Sequence, residues 1–151
     1  MIENNRYAMG TSVTRSSAQT DFSKRGVSFN IPGEQVDGMD VRAVKAAGDK
    51  AVKWCRDGNG PIILEMMTYR YRGHSMSDPA KYRTRDEVNK MRTEHDPIEQ
   101  VRRRLLDKKW ASEDDLKKID AAVRTLVNEA SEFATHDAEP DPAELYTDVY
   151  H

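Results

Sequence analysis

A single cysteine, Cys55, stands in the 151 residues, so no internal disulfide framework is available, which fits a reducing compartment. It falls on the apolar face of a predicted helix, where a buried, unreactive thiol is the expected state. No run approaches the roughly 18 apolar residues that a membrane-spanning helix needs, and the first residues carry no signal-peptide pattern. Neither sign of charge dominates: 24 basic against 26 acidic residues leave a net charge of −2, and without a basic surplus there is no broad footprint for nucleic acid. The run Arg102-Arg103-Arg104 lies in a helical pattern beside acids. A solvated or salt-bridging face is the ordinary reading of it, and an anion or partner contact the alternative. A Ser-His-Asp order, a Cys-x-x-Cys pair, a complete phosphate loop and a glycine-rich dinucleotide fingerprint are all missing, as are internal repeats and low-complexity linkers.

What remains is a chain long enough for one domain. With 37% hydrophobic and 33% charged residues it is polar for its size, a balance that suits a subunit sharing its core with a partner as well as it suits a lone domain. Residues 1–35 read as loop-rich, with Gly10, Gly26, Pro32 and Gly33 as breaks. Asp40 caps a predicted helix running to Arg56, whose apolar face is Val41, Val44, Gly48, Ala51, Val52 and Cys55. Asp57-Gly58-Asn59-Gly60 ends it with turn chemistry. Pro61–Thr68 holds an apolar run too short for an independent helix and reads as a buried parallel strand. A helix followed by a buried strand is half of an α/β unit, and whatever follows that strand lies where open α/β sheets place ligands. Further on, Thr84 with Glu87 resembles a capping box. Asp96-Pro97 opens another helix. Ser112 opens a longer one, striped with Leu116, Ile119, Val123, Leu126, Ala130 and Phe133. Residues 137–151 read as an extended tail.

Two segments concentrate functional groups. Glu3-Asn4-Asn5-Arg6-Tyr7-Ala8-Met9-Gly10-Thr11-Ser12 offers amide and hydroxyl oxygens suited to a hard cation, although paired asparagines also form turns. Residues 69–84 bring Arg70, Arg72, His74, Ser75, Asp78, Tyr82 and Arg83 into one aperiodic stretch. Such a set can clamp phosphate or carboxylate and move a proton. It can equally be a surface loop whose arginines pair with neighbouring acids, and the residues alone leave both readings open.

These same segments, together with Val36-Asp37-Gly38-Met39-Asp40 and Tyr69-Arg70-Tyr71-Arg72-Gly73-His74-Ser75-Met76-Ser77-Asp78-Pro79, resemble the α subunit of the thiamine-diphosphate-dependent 2-oxo acid dehydrogenases, the pyruvate-specific members in particular. The resemblance runs from Ile2 to about Tyr146. It implies an α/β fold class: a partial thiamine-diphosphate-binding fold, with a parallel sheet flanked by helices and a helical C-terminal region. Residues 1–136 would be the C-terminal part of the cofactor-binding domain and residues 137–151 its tail. Only the Asn-Asn end of the family's cofactor motif is matched, so the sequence corresponds to the C-terminal portion of such a subunit.

By the same resemblance, Asn5 ligates magnesium through its side chain and Tyr7 through its backbone carbonyl. His74 contacts the diphosphate of thiamine diphosphate and supports decarboxylation and reductive acylation of a lipoyl group. Arg70, Asp78, Tyr82 and Arg83 order the loop, while Ser75 and Ser12 match positions phosphorylated in mitochondrial relatives. The serine that relatives carry before the Tyr-Arg pair is replaced, the sequence reading Ala80-Lys81-Tyr82-Arg83. The implied partners are a β subunit, in an α2β2 assembly, and the lipoyl domain of an acyltransferase, with no nucleic acid and no membrane. The implied location is the bacterial cytoplasm or, in a eukaryote, the mitochondrial matrix. Members acting on branched-chain 2-oxo acids or acetoin share the pattern, and a non-catalytic assembly piece is the reading of a different class.

Overall fold

The computed structural model describes residues 1–150. In chain order its elements are β1 (Ile2–Asn4), β2 (Tyr7–Ala8), β3 (Thr11–Ser12), α1 (Val13–Ser16), a 3₁₀ segment (Phe22–Phe29), β4 (Gly33–Asp37), α2 (Val41–Arg56), β5 (Ile63–Met67), α3 (Arg85–His95), α4 (Pro97–Asp107), α5 (Glu113–His136) and a 3₁₀ turn (Pro142–Tyr146). They divide into two compact units, Met1–Val101 and the residues from Arg102 on.

In the first unit β5 lies between β1 and β4, parallel to both. A parallel neighbour requires a crossover, and α2 supplies it between β4 and β5. The helix begins where its cap chemistry dictates, with the Asp40 side chain accepting from the Arg42 N–H at 2.8 Å. Successive β5 side chains alternate between faces. Leu64 and Met66 form the core with Val36 and Ala47, flanked by Ala43, Val44, Ala51 and Ile62. Ile63 and Glu65 point the other way, toward the 3₁₀ segment. There Gly26 packs so closely that a Cβ would meet the Ile63 side chain at 2.9 Å.

Glu65 is the one fully buried carboxylate of this face, at 0% exposure. Burying it is tolerable only because its oxygens are satisfied. They accept from Asn4 Nδ2 at 2.6 Å, the Ser23 N–H at 3.0 Å and Gln35 Nε2 at 3.0 Å. Its partners are neutral donors rather than a cation.

Two expectations change. Residues 1–35 contain β1 and the start of β4, which pattern reading misses because Ile-Glu-Asn and Gly-Glu-Gln-Val-Asp are too short and too polar to display alternation. Cys55 is exposed rather than buried. The sixteen-residue α2 is about 24 Å long, whereas the five-residue β5 spans only about 17 Å. Exposure is found at both ends of the helix, at Val41 and at Val52 and Trp54 with Cys55.

In the second unit, Ser112 and Asp115 close a reciprocal capping box at the start of α5. Arg102 pairs with Glu113 at 2.5 Å, so one residue of the basic run is salt-bridged. The stripe expected on α5 exists as a pattern, but Ile119, Val123, Leu126 and Phe133 are all more than half exposed.

Candidate functional site

Parallel pairing decides which distant residues meet. Asn4 stands opposite Met67 in the ladder, and the Thr68 N–H donates to the Asn4 carbonyl at 2.9 Å. The residues that follow β1 and those that follow β5 therefore emerge side by side at the carboxyl end of the sheet.

The two asparagines separate by strand alternation. Asn4 is buried at 5% exposure. Its amide nitrogen donates to Glu65, and its Oδ1 accepts from the Arg6 N–H at 3.0 Å. That bond stabilises Arg6 in the left-handed region at φ 72°, a conformation costing a non-glycine residue about 1–2 kcal/mol. Asn4 is thus the turn-former. Asn5 faces a cleft of about 50 Å³, lined from its own segment by Asn5, Tyr7 and Met9 and from the loop after β5 by Arg70, Arg72, His74, Tyr82 and Arg83.

Three guanidinium groups and an imidazole line this cleft, and no carboxylate does. Arginine offers forked N–H donors matched to phosphate or carboxylate oxygens, so the cleft suits an anion. Asp78 lies close by but turns its oxygens to the loop backbone. It accepts from the His74 N–H at 2.7 Å, the Ala80 N–H at 2.8 Å and the Tyr82 hydroxyl at 2.9 Å. The bond from His74, then that from Ala80, holds the Asp78 carboxyl below its ordinary range, while burial and the bond to Asp78 push the Tyr82 phenol up. Gly73 is required at this turn, since a Cβ there would meet the Asp78 carbonyl at 2.6 Å.

Arg83 braces the loop from beneath. It donates to the carbonyls of Arg70 and Tyr71, the latter at 2.8 Å, and lies over the rings of Tyr69 and Tyr82. Arg70 donates to the His74 carbonyl at 3.1 Å. Tyr71 donates to Asp96 at 2.9 Å, and burial followed by that bond pushes its phenol up to about 12. The other oxygen of Asp96 caps α4 through the Ile98 and Glu99 N–H groups.

Of the residues singled out in the sequence, Asn5, Tyr7, Arg70, His74, Tyr82 and Arg83 share one cleft, and Asp78 sits behind it. Ser75 is exposed beside Ser77, their hydroxyls 2.9 Å apart. Ser12 does not line that cleft; it pairs with Tyr7 in the short hairpin and precedes α1. Asn5 and the Tyr7 carbonyl are oxygen donors of the kind a hard cation takes. Among the described residues no cluster of three or more His, Cys, Asp or Glu could hold a metal, so these neutral oxygens can form only part of a coordination shell.

Sequence reading overlooked Glu65, Tyr69, Tyr71 and Glu87. Glu65 was detectable as a lone acid inside an apolar strand. Glu87 was assigned to a capping box, of which only half forms. Thr84 Oγ1 does accept from the Glu87 N–H at 3.1 Å, but the Glu87 carboxylate goes to tyrosines instead.

Comparison with known proteins identifies the family. The family model described as dehydrogenase E1 component matches residues 1–143. The chain is 72% identical over 149 residues to the pyruvate dehydrogenase E1 component subunit alpha of Rhizobium meliloti (strain 1021), covering 99% of this chain and 43% of that relative. It is 56% identical over 151 residues to the mitochondrial subunit of the same name from Dictyostelium discoideum, covering 99% of this chain and 40% of that one. The corresponding subunit of Zymomonas mobilis is 52% identical over 149 residues, covering 99% and 42%. The chain thus spans about two-fifths of the length of these curated relatives. With the family model running through nearly all of a chain whose strand-end cleft is built as described, this chain belongs to the dehydrogenase E1 component family.

Proposed function

We propose that this chain is the C-terminal portion of the α subunit of pyruvate dehydrogenase, and that its arginine-lined cleft receives the diphosphate of thiamine diphosphate. The carrying observation is the convergence of Asn5 with Arg70, Arg72, His74 and Arg83 at the carboxyl ends of β1 and β5. Three cations without a lining carboxylate suit a diphosphate. Asn5 and the Tyr7 carbonyl would add neutral oxygens to a magnesium shell whose other ligands come from the diphosphate and from outside this segment.

When bound, thiamine diphosphate supplies the carbanion chemistry of decarboxylation. The chain's own residues orient and hold it. Arg70 and Arg72 hold the anion while Arg83 braces the loop through the Arg70 and Tyr71 carbonyls, which lowers the ordering cost of the loop when substrate arrives. The His74 imidazole donates an N–H to the cleft or carries a proton there. Asp78 and Tyr82 hold the backbone that presents it. In the overall reaction carbon dioxide leaves pyruvate, the electron pair of the broken C–C bond reduces a lipoyl disulfide, and as its S–S bond breaks one sulfur takes the acetyl group and the other a proton. The catalytic assembly requires a β subunit and a lipoyl domain, in the bacterial cytoplasm or the mitochondrial matrix. Residues 1–136 belong to the cofactor-binding domain and residues 137–151 form its tail.

The test is made on the native subunit assembled with its β partner. Calorimetry should detect thiamine diphosphate binding only with magnesium present, and carbon dioxide release should be faster from pyruvate than from branched-chain 2-oxo acids or acetoin. Binding without a metal requirement, or preference for either rival substrate, overturns the reading.

A further inference from the structure

One carboxylate ties together the roots of both cleft walls. Glu87 sits in the first turn of α3. Its oxygens accept from the Tyr7 hydroxyl at 3.1 and 3.4 Å and from the Tyr69 hydroxyl at 2.9 Å. Tyr7 stands two residues after Asn5, on the wall that follows β1. Tyr69 is the first residue after Thr68, on the wall that carries Arg70, Arg72 and His74. Tyr69 is buried at 6% exposure, and for both phenols burial and then the bond to Glu87 raise the pKa, so both remain donors. The Tyr7 ring rests on Tyr82, 5.2 Å between centroids, and Arg83 lies over both Tyr69 and Tyr82. An aromatic and guanidinium layer thus surrounds the shared acceptor.

We infer that Glu87 is a positioning residue that makes placement of the Asn5–Tyr7 turn and ordering of the loop from Tyr69 onward a single event. A ligand that engages one wall thereby organises the other. A capping role alone would need only the Glu87 N–H and would leave its carboxylate free to swing into solvent. The inference rests on the proposal that the cleft binds thiamine diphosphate, and it concerns how binding at one wall is transmitted to the other.

The experiment uses the native subunit assembled with its β partner and has two readouts besides activity. These are calorimetric affinity for thiamine diphosphate with magnesium, and the rate of tryptic cleavage within the loop at Arg70, Arg72, Lys81 or Arg83, with and without cofactor. Glu87→Ala is expected to weaken cofactor binding about tenfold, the scale of a hydrogen bond to a charged acceptor, and to abolish the protection that cofactor gives the loop. Glu87→Gln, which keeps one carbonyl acceptor, should restore part of both.

Should Glu87→Ala fail to fold, a cycle of Tyr7→Phe and Tyr69→Phe leaves Glu87 in place and still decides. The two changes are expected to be non-additive in cofactor affinity, the double variant binding more tightly than the product of the single losses requires. Additivity to within about twofold, the level expected of independent sites, overturns the inference. So does a Glu87→Ala enzyme in which cofactor still protects the loop. Wild-type enzyme that binds no cofactor with magnesium would sink the functional reading first. Wild-type binding together with an additive cycle would sink this inference alone.

Discussion

Replacing Glu65 by alanine removes the acceptor on which one face of the sheet depends. The carboxylate takes N–H groups from Asn4, Ser23 and Gln35, and the first two bonds are buried. The Ser23 N–H keeps the Asp21 carboxylate at 3.2 Å, so the Asn4 amide is the buried donor left stranded, and a buried donor without a partner costs about 1–3 kcal/mol, before any cavity contribution. Against a typical domain stability of about 5–15 kcal/mol this is a substantial change. Glu65→Gln is the informative control. Asn4 bonds to one oxygen, while Ser23 and Gln35 share the other, so an amide can satisfy only one side and turns an NH₂ toward donors on the other. With its carbonyl kept toward Asn4, its cost should therefore be well below that of alanine. Urea unfolding of the native subunit, followed by circular dichroism, reads both values. A loss below about 1 kcal/mol for Glu65→Ala, or equal losses for both variants, refutes the reasoning.

Three further outcomes are expected. Gly73→Ala places a methyl 2.6 Å from the Asp78 carbonyl and should raise the apparent KM for thiamine diphosphate several-fold with little change in Tm; unchanged tryptic cleavage of the loop would contradict this. Ala80 holds a left-handed φ of 51°, so Ala80→Gly should slow loop proteolysis and gain up to about 1 kcal/mol of local stability, and faster proteolysis would count against it. Tyr71, with its phenol raised from 10.0 to about 12, contributes stability that is intact below pH 10 and fades as pH rises toward 12. Ultraviolet titration of tyrosinate, compared with Tyr71→Phe, should show that late-ionising group vanish in the variant.

Helix boundaries were legible in the sequence because caps are local chemistry. Asp40, Thr84, Asp96 and Ser112 each bind the N–H groups that their spacing implies. The buried strand after Pro61 was legible from its apolar run. The partners of β5 were not, since a three-residue strand such as β1 owes its existence to the ladder it joins rather than to its own pattern. Within the cleft, the residue types of the loop admitted an anion site but did not separate it from a surface loop of paired arginines. The wiring beneath it was hidden, because Tyr7, Tyr69 and Glu87 lie 18 to 80 positions apart and meet only once the sheet is assembled. The exposure of Cys55 and of the α5 stripe shows the converse limit: periodicity says which face is apolar, but not what lies against it.

The neighbouring asparagines make a single-atom experiment on opposite outcomes. Converting Asn4 to aspartate sets a second acid against the Glu65 oxygen 2.6 Å away, in a pocket sealed from water, and the protein loses a hinge pin. Converting Asn5 to aspartate sends the same new charge toward three arginines, where it competes with an anion for their N–H groups and weakens anion binding, while the scaffold stands. Identical chemistry one residue apart is thereby read out once as integrity and once as affinity.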